Sequence, residues 1–251
     1  MSGPAKAAPG AAPGEPLAGR RAIVTGASRG IGAASARVLA ALGARVACVA
    51  RSREALAALV AELPHDAVAL PADLLRAEAA DLLAAGAREA LGGEADVIVH
   101  AAGTFPLAPL EELTDADLDA ALALHVAFPL RFVRALLPGF RTRGSGHVVL
   151  IGSVADRSVF PANAAYAATK HALRAAHEVL RAETRGSGVR MTLVSPAATD
   201  TAIWDAHDPD GAAHLPARAE MLRPEDVADA VGWAVTRPAH VDIEELRLSR
   251  S

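Results

Sequence analysis

Short, continuously apolar runs alternate with longer segments of helical period over most of the chain. The runs fall at residues 22–25, 46–50, 97–99, 148–151 and 191–194, rich in Val and Ile and without polar alternation. A strand that is apolar on both faces belongs in a parallel sheet covered by helices on each side. Helical stretches lie between the runs, at about 30–42, 53–63, 76–91, 115–140, 164–184 and 224–236. Weaker runs at 67–70 and 245–248 bring the strands to seven. This alternation predicts an α/β fold: a doubly wound, mostly parallel seven-stranded sheet with helices on both faces.

The pattern runs through residues 20–251 without an internal repeat or a change of regime, so one domain is expected. Ahead of it, residues 1–19 are mostly Ala, Pro and Gly and read as a flexible tail. Residues 199–222 break the alternation with Ala, Asp, His, Pro and Gly around Ile203, Trp204 and Leu215. An insertion of that length after a strand is expected to form a lid.

Composition narrows the function. Hydrophobic residues make up 52% of the chain but aromatics only 3%, so the core is assembled from many small side chains, each burying little area. One cysteine, Cys48, permits neither an internal disulfide nor a cysteine zinc cluster and fits the reducing cytoplasm. The net charge of −4 offers no overall attraction to nucleic acid. No apolar run approaches the roughly 18 residues of a membrane span, so no membrane partner is expected. The histidines show no metal-ligand spacing. Scarce residues stand out: Tyr166 is the only tyrosine, Asn163 the only asparagine, and all basic residues but Lys6 and Lys170 are arginine.

The first run leads through Thr25-Gly26-Ala27-Ser28-Arg29-Gly30-Ile31-Gly32 into a helix. Glycines there let the backbone approach a pyrophosphate, and the helix start presents N–H groups and partial positive charge. A tight strand-to-helix turn without a ligand is the alternative. The second run ends at Ala50 and is followed by Arg51-Ser52-Arg53, so no carboxylate stands where one would bond an adenosine ribose. Arg29 and Arg51 suit a 2′-phosphate, favouring NADP(H) over NAD(H), unless they are two ordinary exposed arginines. Tyr166 and Lys170 lie one helical turn apart, and a fixed cation near a phenol favours its phenolate.

With these motifs, and Ser153 thirteen residues before the tyrosine, the chain resembles the short-chain dehydrogenase/reductase family over everything after the tail. The resemblance implies a Rossmann-type, NADP-dependent oxidoreductase acting on a small or medium carbonyl or alcohol. Ser153 would bond the substrate oxygen, Tyr166 would act as general acid/base, and Lys170 would hold the nicotinamide ribose and lower the tyrosine pKa. Gly26, Ser28, Arg29, Gly30, Ile31 and Gly32 would form the cofactor turn. Asp73 and Leu74 resemble the adenine-contacting pair. His100 followed by Ala101, Ala102 and Gly103 occupies the place of an Asn-Asn-Ala-Gly element. Pro196, Thr199 and Thr201 fall in the segment that contacts the nicotinamide carboxamide, with Ala197 where glycine is usual.

His125 stands where the family commonly has a catalytic asparagine. It would hold the water of a proton relay or transfer the proton itself, or else pack inside the helix and bond a carbonyl. The resemblance also implies a homodimer or homotetramer built through the helices starting near 115 and 164. Thr104, Phe105, residues 154–160, Ile203 and Trp204 are expected to wall the pocket, with Asp156 and Arg157 as polar exceptions and Arg157 open to a substrate carboxylate. The ending at 241–248 resembles a branch that includes hydroxy-acid dehydrogenases. Two other readings suit the same fold: a catalytically weakened NADP-binding sensor or assembly protein, and a dehydratase or epimerase.

Overall fold

The computed structural model describes residues 14–212 and 215–251; most of the expected tail and two residues of the expected lid lie outside them. Among these residues, seven strands form one sheet: β1 (Arg21–Thr25), β2 (Arg45–Ala50), β3 (Val68–Pro71), β4 (Val97–His100), β5 (Gly146–Ile151), β6 (Val189–Pro196) and β7 (Glu245–Leu248). Every pairing is parallel, in the order β3-β2-β1-β4-β5-β6-β7. The order reverses between β1 and β4, which leaves a crevice at the carboxyl ends of those strands.

Seven α-helices cover the sheet: α1 (Gly30–Ala41), α2 (Arg53–Glu62), α3 (Ala79–Ala90), α4 (Asp115–Leu122), α5 (Phe128–Arg143), α6 (Ala164–Thr184) and α7 (Pro224–Val235). Alternate strand residues feed two cores, as the two-residue period of a strand requires. Ala22 and Val24 pack with Leu39 of α1, Leu56 of α2 and Val231 of α7. Ile23 points the other way, into a cluster with Leu83 of α3, Phe132 of α5 and Leu173 of α6.

Four local expectations are corrected. The expected tail does not extend to residue 19: Leu17 is buried, and its N–H donates to Leu42 O at 2.8 Å, docking the entry to β1 on the end of α1. Helix α3 starts at Ala79 instead of 76, because the Asp73 carboxylate accepts from Leu75 N (3.2 Å) and holds the preceding residues in turns. The stretch 115–140 is not one helix, since a π-helical turn at Ala123–Ala127 separates α4 from α5. Taken together, Asp115–Arg143 is also long and apolar enough to cross a membrane by length and composition, contrary to the reading from apolar runs. Here Phe128, Phe132, Val133, Leu136 and Phe140 of this stretch are buried in the protein core.

The sheet and helices also bury four histidines that burial keeps neutral. His100 is pulled down to about 4 and His147 to about 3, while His125 and His177 are lowered too. Below the ordinary value of 6.5, the unfolded chain takes up protons that the folded chain refuses. Stability is therefore expected to fall from pH 6.5 toward 4, by about 1.4 kcal/mol per pH unit for each of His100 and His147. Thermal melts at pH 7 and pH 5 check this, and His147→Gln should flatten the slope; an unchanged slope would contradict the neutral burial of His147.

Candidate active site

The crevice at the ends of β1 and β4 gathers the chemistry. Gly26 turns out of β1 at φ +72, and a Cβ there would lie 2.7 Å from Ala102 N. A Cβ on Gly32 would meet Gly26 O at 2.2 Å, so both glycines are needed for α1 to start this close to the sheet. The turn is held beside β2 by Ala27 N donating to Val49 O (3.0 Å). Arg29 is the extended N-cap of α1 and places no side-chain cap on its first turn, which leaves that helix end open toward the crevice. Arg29 and Arg51 are both exposed, and neither has an ion-pair partner among the described residues. This open helix end, flanked by two uncommitted guanidinium groups, fits a phosphorylated dinucleotide.

The remaining expected cofactor residues ring the same crevice. Leu74 is buried and Asp73 exposed just past β3. Ala101 N donates to Thr25 O at 3.2 Å and Ala102 N to Thr25 Oγ1 at 3.4 Å, so the segment after β4 lies against the end of β1. Pro196 ends β6; beyond it the Thr199 hydroxyl donates to Ala197 O (3.0 Å) and Thr201 Oγ1 accepts from Ile203 N (3.4 Å). The Thr201 methyl abuts Gly30, 2.9 Å from where a Cβ of that glycine would be.

Ser153 lies just beyond β5, where its hydroxyl oxygen accepts from Ala155 N (3.1 Å) and keeps its hydrogen free to donate. Tyr166 and Lys170 project from α6 toward it. Lys170 is buried, donates to Ile151 O (2.9 Å) and holds its Nζ 5.4 Å from the Tyr166 ring centroid. Burial pulls Lys170 down to about 8, against the opposing pull of the Asp156 carboxylate. The expected lowering of the tyrosine is not present in the protein alone. Burial pushes Tyr166 up to about 12, with the Ser153 hydroxyl pulling it down and Asp156 pushing it further up. Desolvation of the phenolate outweighs the hydrogen bond from Ser153.

His125 is placed differently from the expected relay. It sits in the π-helical turn, 1% exposed, with both ring nitrogens occupied. Thr104 N donates to Nε2 (3.1 Å), so Nδ1 carries the proton and donates to Thr169 Oγ1 (2.8 Å), which in turn donates to Tyr166 O (2.9 Å). Burial and the Lys170 cation hold His125 well below the usual imidazole range. The ring therefore has neither a free nitrogen for a water nor a protonated state within reach of neutral pH, and it serves as a brace between the post-β4 segment and α6. His100, read from sequence only as a replacement, is a second brace. Its Nδ1 accepts from Thr25 Oγ1 (2.8 Å) and its Nε2 donates to Leu124 O (2.9 Å). Thr169 carried no signal in the sequence and Thr104 was expected only as a pocket wall, because their partner His125 is remote in the chain.

The pocket wall is aromatic. Phe105 meets Tyr166 edge-on at 4.8 Å, Trp204 at 4.9 Å and His207 at 5.4 Å between ring centroids. The two expected polar exceptions are committed elsewhere. Asp156 is fully buried and accepts from Ser195 Oγ (2.7 Å). Arg157 pairs with Glu245, its Nη2 donating to Oε2 at 2.7 Å, so it is not open to a substrate carboxylate. Among the described residues, no group of three or more His, Cys, Asp or Glu side chains is arranged to hold a metal ion.

Residues 20–211 match the family model for short chain dehydrogenase. An uncharacterized oxidoreductase of Staphylococcus haemolyticus is 32% identical over 231 residues, covering 92% of this chain and 96% of its own length. A metagenomic short-chain oxidoreductase solved in complex with NADP superposes with a TM-score of 0.80 at 32% identity, covering 94% of this chain and 99% of that one. A 3-oxoacyl (acyl-carrier-protein) reductase of Agrobacterium tumefaciens with NADP bound gives a TM-score of 0.83 at 30% identity, covering 93% and 94%.

Because Tyr166 is the only tyrosine, tyrosinate absorbance reports on it alone. Ultraviolet titration of the protein without nucleotide should give a midpoint well above the ordinary 10, toward 12. A midpoint at or below 10 would contradict the upward shift that burial imposes on Tyr166.

Proposed function

Because the chain belongs to the short-chain dehydrogenase family, we propose that it is an NADP(H)-dependent oxidoreductase interconverting a carbonyl and an alcohol, with Tyr166 as general acid/base. The observation that carries the reading is the convergence of the Ser153 hydroxyl, the Tyr166 phenol and the buried Lys170 ammonium beside the glycine turn.

The backbone of Gly26, Ser28, Arg29, Gly30, Ile31 and Gly32 would hold the diphosphate, with Arg29 and Arg51 toward the 2′-phosphate. Asp73 and Leu74 would flank the adenine, Ala101, Ala102 and Gly103 would line the ribose side, and Pro196, Thr199 and Thr201 would face the carboxamide. Bound NADP(H) supplies or accepts the hydride. In reduction, Ser153 donates its free hydroxyl hydrogen to the substrate oxygen while Tyr166 delivers its phenolic proton to the same atom. Lys170 would hold the nicotinamide ribose, and its ammonium beside the phenol would oppose the desolvation that raises Tyr166 in the protein alone. We place the enzyme in the cytoplasm, as a homodimer or homotetramer, on the single buried cysteine and the family resemblance.

Two measurements test this reading. Purified protein should consume NADPH with ketones or aldehydes, followed by absorbance, and Tyr166→Phe should lower kcat/KM by about 10²–10⁴; unchanged turnover would refute the role of Tyr166. Arg51→Ala should weaken NADPH binding about 10- to 100-fold and leave NADH nearly unaffected, as read by nucleotide fluorescence. Equal effects on both nucleotides would remove the basis for the NADP preference.

A further inference from the structure

Among the described residues, only two side chains that carry charge at neutral pH are buried: Asp156, at 0% exposure, and Lys170, at 6%. Their signs are opposite, and the elements that carry them pack together. Asp156 ends a 3-10 turn, Val154–Asp156, that follows Ser153 and lies against α6. Its N–H donates to Ser153 O (2.9 Å), and Ser195 Oγ on β6 donates to its Oδ2 (2.7 Å). Lys170 reaches the foot of the same turn, where Nζ donates to Ile151 O (2.9 Å), an uncharged acceptor. A buried cation without a counter-charge is costly, and inside a protein a carboxylate acts across several ångströms. Asp156 acts on both groups of α6: it favours the charged form of Lys170 and the neutral form of Tyr166. The other titratable groups around them are paired or neutral. Arg157 comes within 3.5 Å of the Asp156 carboxylate but pairs with Glu245, and Arg174, which donates to Asp156 O (3.4 Å), pairs with Glu178 (2.6 Å). His100 of β4 and His125 of the π-helical turn stay neutral beside Lys170, and His207 packs on Phe105 rather than on the phenol.

We propose that Asp156 is a positioning residue for proton transfer: its buried carboxylate is the counter-charge that keeps Lys170 an ammonium and Tyr166 a protonated phenol, and so sets the pair to donate a proton, in the direction of carbonyl reduction. This deepens the oxidoreductase reading and rests on it for the direction. In that direction the carbonyl carbon takes up the hydride of NADPH and the carbonyl oxygen takes the phenolic proton, leaving an alcohol, NADP⁺ and a tyrosinate. The field of Asp156 then favours the return of a proton to the tyrosinate. Fully buried, Asp156 acts through Lys170 and Tyr166 and not by touching substrate.

The test reads Lys170 directly. Lysine occurs only at Lys6 and Lys170, so a full chain carrying Lys6→Arg and grown on Cε-labelled lysine gives a single side-chain resonance. Without nucleotide, its titration midpoint in this parent should lie at about 8. Asp156→Asn keeps an oxygen for Ser195 and removes the charge; it should lower the midpoint by about half a pH unit or more, and Asp156→Ala should do the same. Ser195→Ala breaks the same hydrogen bond but keeps the carboxylate, and should shift the midpoint less; an equal shift would make the bond rather than the charge the cause and overturn the proposal. A purely structural role gives the opposite sign, because a loosened site admits water and returns Lys170 toward its ordinary 10.5. An upward or absent shift in the neutral variants therefore overturns the proposal, and so does a parent midpoint below neutrality, which needs no Asp156 variant at all. With NADPH and a ketone, the alkaline limb of kcat/KM should move to lower pH by the same amount in Asp156→Asn. The two readings fail separately. A lowered Lys170 midpoint with no NADPH consumption discards the oxidoreductase and with it the direction; turnover with an unmoved midpoint discards the role of Asp156.

Discussion

The hydrogen bonds of His100 join the three parts on which the site depends. One ring nitrogen accepts from Thr25 at the end of β1 and the other donates to Leu124 O in the π-helical turn. The glycine turn, the switch point of the sheet and the helix that backs α6 are thereby fixed to one planar group. A parallel sheet with this strand order opens a crevice at its carboxyl edge, but the order alone does not set distances inside that crevice. The imidazole does, because its two nitrogens point in fixed opposite directions and both are used. The π-helical turn belongs to the same device: it displaces the helical backbone locally where Leu124 O receives the histidine. His125, one residue on, carries the connection to Thr104 and through Thr169 to the backbone of Tyr166.

Both braces work only as neutral rings, and this couples them to the electrostatics of Lys170. Each must accept a hydrogen bond at one nitrogen, Nδ1 in His100 and Nε2 in His125, and a protonated ring has no acceptor. The lysine cation lowers both, adding to burial. Lys170 therefore remains the cationic group next to Tyr166, and the histidines supply shape without competing charge. A chain that places imidazoles beside a buried lysine at two positions must bury them this deeply, or lose the geometry whenever they protonate.

The five inner strands were legible because burial on both faces makes them apolar runs, whereas the half-exposed edge strands β3 and β7 gave only weaker ones. Helix α6 was legible to both ends for a similar reason, since its periodicity is uninterrupted from Ala164 to Thr184. The π-helical turn was not, because one extra residue per turn leaves the apolar spacing of 115–140 nearly intact while rotating everything beyond it. Non-local pairings were equally hidden. Nothing near Arg157 announces Glu245, which is 88 residues away, and a Pro- and Gly-rich entry gives no sign that Leu17 packs on the end of α1. For the candidate site, scarcity drew attention to Tyr166, Lys170 and Asn163. What scarcity cannot supply is the sign of a pKa shift, since that depends on how deeply the fold buries the phenol.

The 199–222 insertion shows how a segment with a weak hydrophobic signal becomes a defined wall. Its two ends are tied to each other by Asp200 N donating to Leu222 O (2.8 Å) and Leu222 N to Ala198 O (2.9 Å), so the loop leaves and returns at one place. Its ion pairs are internal: Arg218 bonds Asp200 at 2.5 Å and Asp205 at 2.6 Å. Trp204 is also held from within, by Nε1 donating to Thr199 O (3.0 Å). Against the post-β4 segment the insertion makes softer contacts, the packing of Trp204 and His207 on Phe105 and one bond between His207 and Phe105 O (2.9 Å). Hydrogen bonds and ion pairs within the insertion fix its shape, and aromatic contact with Phe105 seats it against the post-β4 segment. Phe105 touches both Trp204 and Tyr166, so the insertion and the phenol share one aromatic neighbour. The burial that raises the tyrosine pKa is thereby tied to the same contact.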